Sequence, residues 1–231
     1  MAHNSMIRVN DDLSVATIVH ARQQPWIDSP AQGVKRRILY RVGNEKARAT
    51  SIVEYAAGSQ FPQHIHSGGE EFLVLKGIFQ DEHGDYPAGS YVRNPPGSMH
   101  TPRSDQGCTI LVKLWQFRQD DHQRISILPS NDMIFSTQHD HSMVLFDQFD
   151  EEVRLESWCA NTTRTILNPS GLEVFVVSGS FQSGPEIMET WSWIRLPAGM
   201  PLELKVGAQG ACVWIKSAPL EHINVCRFEI E

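Results

Sequence analysis

Between Gly33 and Phe117 turn residues cut the chain into short apolar or alternating runs, and none of them carries a 3.6-residue helical period. The runs are Val34 to Tyr40, Ala49 to Tyr55, Glu71 to Lys76, Ile78 to Glu82, Ser90 to Arg93 and Thr109 to Phe117. Turns fall at Val42-Gly43-Asn44, Ala57-Gly58, His83-Gly84-Asp85 and Asp105-Gln106-Gly107. Short strands at this spacing predict an all-β barrel or jelly roll. Phe72-Leu73-Val74-Leu75 reads as a buried strand ending at Gly77, followed by a hairpin reversal. With 231 residues and 41% hydrophobic content, the chain can bury a sizeable core in one large or two small domains.

Four residues inside this region have the chemistry of metal ligands. His64 and His66 are two apart, so on a strand both leave the same face. Glu70 follows the Ser67-Gly68-Gly69 turn, and His100 follows Asn94-Pro95-Pro96-Gly97-Ser98, where Pro fixes φ and Gly permits a sharp reversal. Neutral imidazoles and one carboxylate suit zinc, iron, manganese, nickel or copper. The expectation is one divalent transition metal, zinc first, with iron, manganese or nickel as alternatives. Glu71 is the rival ligand, and alternation lets only one of the two glutamates reach the site, the other being left a surface or turn contact. His139-Asp140-His141 repeats the spelling without a following Glu and His and reads as an exposed linker. His3, in the N-terminal tail, and His20, His83, His122 and His222 carry no ligand signal. Phe61, Phe72, Tyr91 and Trp115 can line a pocket or fill the core, and core packing is the simpler role.

The pattern resembles the cupin family. Its first motif is Gly, five residues, His-x-His, three residues, Glu, six residues, Gly, and it is met by Gly58, His64, His66, Glu70 and Gly77. The second motif is met by Gly89, Pro95, Gly97 and His100, with Ser104 where Asn often stands. The spacing of that resemblance selects Glu70 over Glu71. Gly-Gly-Glu-Glu-Phe-Leu-Val-Leu and Tyr-Val-Arg-Asn-Pro-Pro-Gly-Ser-Met-His are similar to the cupin domain of the ChrR anti-sigma factors.

An internal repeat extends the prediction to two tandem barrels. At a shift of 102, Glu71 falls on Glu173, Gly77 on Gly179, Pro95 on Pro197 and Gly97 on Gly199. The ligands do not repeat: Ile166, Asn168, Leu172 and Leu202 occupy the positions of His64, His66, Glu70 and His100. Residues 1–125 are expected to form an N-terminal arm, whose strands pair with the barrel edge, and a metal-binding barrel. Residues 126–231 are expected to form a linker and a degenerate second barrel, in which Trp191, Trp193 and Trp214 pack, in part filling a former cavity. The polar, Pro-broken stretch from Arg118 to about Asp140 reads as the connection.

The net charge of −7 argues against a nucleic-acid surface, and Lys35-Arg36-Arg37 reads as a solvated strand end. No apolar stretch approaches the roughly 20 residues of a membrane span, and the N-terminus lacks a signal-peptide core, so a cytoplasmic location is expected. Cys108, Cys159, Cys212 and Cys226 form no close pair and read as free thiols. The ChrR resemblance implies a metal-binding regulatory or sensor module answering an oxidative signal, with a sigma factor as partner. In that family the sigma-binding zinc domain precedes the cupin and uses a His and a close Cys pair, a pattern absent from this sequence. The other class is a metal-dependent dioxygenase of the acetylacetone-cleaving cupin type, with a small-molecule ligand at the metal. A homodimer is compatible with either.

Overall fold

Strands with alternating inward and outward side chains build both halves of the protein. The structure, a computed structural model, describes residues 6–128 and 137–227. They form two β units: residues 6–11, Pro25–Leu128 and 221–227 make the first, Asp12–Gln24 and 137–220 the second. The first contains β1 (Arg8–Val9), β3 (Ile27–Asp28), β4 (Val34–Gly43), β5 (Ala47–Tyr55), β6 (Ser59–Gln60), β7 (His64–His66) and β8 (Glu70–Asp81). It continues with β9 (Gly84–Pro87), β10 (Tyr91–Asn94), β11 (Ser98–His100), β12 (Arg103–Ser104), β13 (Cys108–Leu114) and β14 (Ile125–Ile127). The second unit holds β2 (Thr17–His20), β15 (His141–Gln148), β16 (Glu151–Trp158), β17 (Thr163–Ile166), β18 (Leu172–Ser183), β19 (Glu186–Glu189), β20 (Ser192–Leu196) and β21 (Leu202–Ser217). The described residues are thus nearly all-β, with two main sheets arranged as two jelly-roll units. Among the described residues no helix is long and apolar enough to cross a membrane.

The main sheet of the first unit runs β1-β4-β5-β13-β8-β10-β14, and that of the second β15-β16-β21-β18-β20-β2. The repeat survives in the strand register: Leu73 pairs with Tyr91 and Glu71 with Arg93, as Phe175 pairs with Trp193 and Glu173 with Arg195. Phe72, Val74, Val92, Ile110 and Val112 fill the interior of the first barrel. Leu172, Val174, Ile194, Val213 and Ile215 do so in the second.

Several expectations need correction. The strand through Phe72 does not end at Gly77, because β8 continues to Asp81 across a bulge. Gly77 bends it at φ +70°, and a Cβ there would stand 2.0 Å from the Gly107 carbonyl oxygen. The arm divides: β1 pairs with β4, whereas β2 pairs with β20 of the second unit. Residues 118–128 belong to the first unit, where β14 hydrogen-bonds to β10. Of the expected connection, residues 129–136 lie outside the described residues, as does His3. His141 opens β15, although it is exposed as expected.

Glu71 is 2% exposed rather than at the surface. It accepts a 2.7 Å hydrogen bond from the Tyr91 hydroxyl and lies 3.5 Å from the Arg93 guanidinium, which also pairs with Asp121 at 2.7 Å. A buried carboxylate costs several kcal/mol unless so compensated, as an order of magnitude. The second barrel keeps the device, with Trp193 Nε1 donating to Glu173 at 3.1 Å. By strand parity Trp193 and Trp214 lie on that same outer side, so they do not fill the barrel. Trp158 and Phe181 occupy the interior instead.

Candidate metal centre

The ligand-type residues meet because two short strands and a sharp turn bring them round. In β7 and β11 His64 lies opposite His100, and His66 opposite Ser98. Parity sends the three imidazoles to one side and leaves Ile65 and Met99 exposed on the other. Gly97, at φ +85°, closes the preceding turn and donates its N–H to the His66 carbonyl at 2.9 Å. Ring centroids are 4.7 Å apart for His64 and His66, 4.7 Å for His66 and His100, and 5.4 Å for His64 and His100. Nitrogens of the three rings lie within 4.8 Å of one another, so the cluster can hold a metal. Glu70, at the start of β8, brings Oε2 to 3.4 Å from His66 Nε2 and 3.5 Å from His100 Nε2.

Second contacts orient these groups. His64 Nδ1 lies 2.8 Å from the Pro62 carbonyl, to which it donates, leaving Nε2 with its lone pair. His100 Nδ1 bonds Asp81 Oδ2 at 3.1 Å, and the Asn94 amide donates to Glu70 Oε2 at 3.1 Å. His66 Nε2 and His100 Nε2 are buried without a hydrogen-bond partner, an arrangement that costs about 1–3 kcal/mol per atom. A cation on those lone pairs removes that cost, so the residues fit a metal. Burial pushes His66 below the usual imidazole range against the pull of Glu70. Burial acts likewise on His100, but the Asp81 hydrogen bond and the Glu70 charge prevail and raise it. Glu70 is held low, since His66, His100 and the Asn94 amide outweigh burial.

A cavity of about 340 Å³ opens onto His64, His66 and Glu70. Inward positions of β5, among them Ala47, Ala49 and Ser51, are small and leave it room. Arg36, Arg41 and Lys46 place positive charge in its wall. In the second unit the equivalents of His64, Glu70 and His100 are Ile166, Leu172 and Leu202, packed in one hydrophobic cluster. Asn168, in place of His66, donates to the carbonyls of Pro197 and Met200 and accepts from Gly171 N–H.

Spacing, with the family resemblance choosing Glu70, named the four residues that the fold brings together. It missed Asp81 and Asn94, whose roles depend on strand pairings, and it missed Arg36 and Arg41. Phe61 and Trp115 do line the cavity, whereas Phe72 is in the core and Tyr91 is fully buried beside Glu71. Arg36 faces inward instead of ending a strand in solvent.

Residues 14–118 match the family described as the ChrR cupin-like domain. No curated protein matches the chain. Among solved structures, a proposed dioxygenase from Nostoc punctiforme superposes with TM-score 0.69 at 14% identity, covering 94% of this chain and 88% of that one. The bacterial pirin YhhW from Escherichia coli in complex with nickel(II) gives 0.66 at 13%, covering 89% and 100%. A Cupin 2 conserved barrel domain protein from Leptotrichia buccalis gives 0.59 at 12%, covering 90% and 98%. The histidine cluster thus lies inside the segment that matches the ChrR cupin-like domain, and over most of its length the chain shares its fold with these structures, one of them a cupin conserved barrel domain protein.

Proposed function

We propose that His64, His66, Glu70 and His100 hold one divalent transition metal, and that the centre acts on a small organic anion admitted through the cavity. The observation that carries this reading is the pair of buried, partnerless Nε2 atoms facing a carboxylate beneath about 340 Å³ of open volume. A metal that only staples a barrel needs no such volume, because a structural zinc site is closed by its protein ligands. When bound, the metal supplies Lewis acidity and an open coordination position. The chain's own residues do the rest: Asp81 and the Pro62 carbonyl set the imidazole tautomers, Asn94 aims Glu70, and the apolar wall around Phe61, Val112 and Leu114 excludes water. The reaction class we favour is oxygenation, supported by likeness of fold to the proposed dioxygenase. A nitrogen-rich set with one carboxylate suits iron, manganese or nickel as well as zinc.

The ChrR cupin-like match supports a second reading, in which the same centre senses a small molecule or oxidant for a regulatory partner such as a sigma factor. Elemental analysis of protein purified without added metal is expected to return about one ion per chain, since one barrel alone keeps the ligands. Two ions per chain, or none after loading, would overturn the proposal. An oxygen electrode with iron-loaded protein and a panel of diketones then separates the readings. Turnover abolished by His100→Ala makes the protein an enzyme, whereas capture of a sigma factor without turnover supports the sensor.

A further inference from the structure

We infer that the cavity is built for a small monocarboxylate with a body about the size of one ring, its carboxylate received by Arg36 and Arg41. The inference rests on the metal reading above for the other end of the ligand. A bulge explains how both arginines enter. The β4 to β5 register slips between Ile38 and Tyr40, so even-numbered Val34 and Arg36 and odd-numbered Arg41 all face the cavity. Arg41 pairs with Ala49, Ala49 with Leu114 and Leu114 with Glu70, so Arg41 stands across three strand spacings from the metal end. That is roughly 14 Å along the curved sheet.

Arg41 is 3% exposed, and its guanidinium is held by the carbonyls of Gly43 and Asn44, with no carboxylate among those bonds. Arg36 has a buried, partnerless Nε and reaches only the exposed Glu45, at 3.3 Å. Burial and the nearby Arg36 charge pull Arg41 down to about 10, two costs that an incoming carboxylate relieves. In the wall three cations, Arg36, Arg41 and Lys46, stand against Glu45 and Glu70, a balance of +1 before any metal. The rest of the wall is mainly apolar or aromatic, including Val53, Tyr55, Phe61, Ile110 and Trp115, with Ser29, Ser51, Ser67 and the imidazoles of His64 and His66 as its polar groups. A cavity of about 150 Å³ takes benzene, so about 340 Å³ accommodates one substituted ring or an aliphatic acid of similar bulk.

The second barrel carries larger side chains at the corresponding positions. Opposite its inward Ile215, Val213 and Ala211 stand Arg154, Glu156 and Trp158, where the first barrel has Ser51, Val53 and Tyr55. Glu156 draws these groups together, lying 3.0 Å from Arg154 Nε and accepting a 2.7 Å hydrogen bond from Trp158 Nε1.

Calorimetric titration of the whole protein, metal-free and metal-loaded, with benzoate and with its neutral isostere benzamide tests the inference. Metal-free protein is expected to bind benzoate at least tenfold tighter than benzamide. Arg36→Gln and Arg41→Gln should each remove most of that preference, while metal titration of the same variants stays at the wild-type level. Arg41 also ties the β4 to β5 turn, so thermal melts accompany both variants, and Arg36→Gln alone suffices if Arg41→Gln does not fold. Equal affinity for the two probes, binding of neither, or a benzoate preference that persists in Arg36→Gln would overturn the inference. A benzoate preference that depends on Arg36 in a protein that takes up no metal would instead retain the carboxylate site and overturn the metal reading.

Discussion

Glu70 and Glu71 are neighbours with different duties, because a strand turns successive side chains to opposite faces. Glu70→Gln is expected to weaken metal binding by roughly a hundredfold or more, judged against the 10–100-fold typical of losing an outer partner. Glu71→Gln should leave the stoichiometry intact but cost about 2–4 kcal/mol of stability, since it leaves Arg93 with one carboxylate fewer in a buried cluster. Metal titration and urea denaturation of both variants separate the two effects. Asp81→Asn, acting through its bond to His100, is expected to reduce metal affinity about 10–100-fold without abolishing it. Acid should release the metal from wild-type protein as pH falls below the ordinary imidazole range, because a protonated imidazole has no lone pair to donate, and retention on dialysis at stepped pH measures this.

At the scale of the strand, β8 and β18 each pass a tight crossing at a glycine. Gly77 and Gly179 have φ of +70° and +75°, and a Cβ at either would lie 2.0 or 2.1 Å from the carbonyl of Gly107 or Gly210. Gly77→Ala and Gly179→Ala are each expected to destabilise the protein by about 3 kcal/mol or more, combining backbone strain with a clash against main chain that cannot move aside. Chemical denaturation checks this, and a loss below about 1 kcal/mol would show that the crossing relaxes. The long strands β13 and β21 bury Cys108 and Cys212, whose thiols burial pushes up to about 11 and about 12. The thiolate is the nucleophile, so at pH 8 both should resist iodoacetamide in the folded protein and react once it is denatured, as mass spectrometry of the modified peptides would record.

The whole molecule is assembled by exchange of leading strands. β2 precedes the first repeat yet pairs with β20, placing Val19 opposite Trp193 and Thr17 opposite Arg195. β14 precedes the second repeat and pairs with β10 in the same register, Ile127 opposite Tyr91 and Ile125 opposite Arg93. At the other end Cys226 N–H donates to the Phe117 carbonyl at 2.9 Å, returning the last described residues to the first unit. Dividing the chain at 125/126 therefore strips β2 from one half and the C-terminal segment from the other. A fragment of residues 126–231 is expected to expose the β20 edge and to be aggregation-prone. Light scattering should show it forming larger and more heterogeneous assemblies than the intact chain, and a monodisperse fragment would contradict that role for β2.

The all-β class, the duplicated turn framework, the four converging ligand-type residues and the loss of those residue types from the second repeat were legible in the sequence, the strands and turns from local spacing and the ligand set with the help of the family resemblance. Period-2 alternation fixes which way His64 and His66 point, and Pro95 and Gly97 can occupy few turns. Tertiary structure alone decided what depends on pairing between distant strands. It buried Glu71 against Tyr91 and Arg93, brought Asp81 to His100, carried β8 on past Gly77, and gave β2 to the other barrel. Arg36 and Arg41 are the sharpest instance. Five residues apart, they have opposite parity on a regular strand, and only the bulge between them, set by how β4 registers on β5, turns both into one cavity.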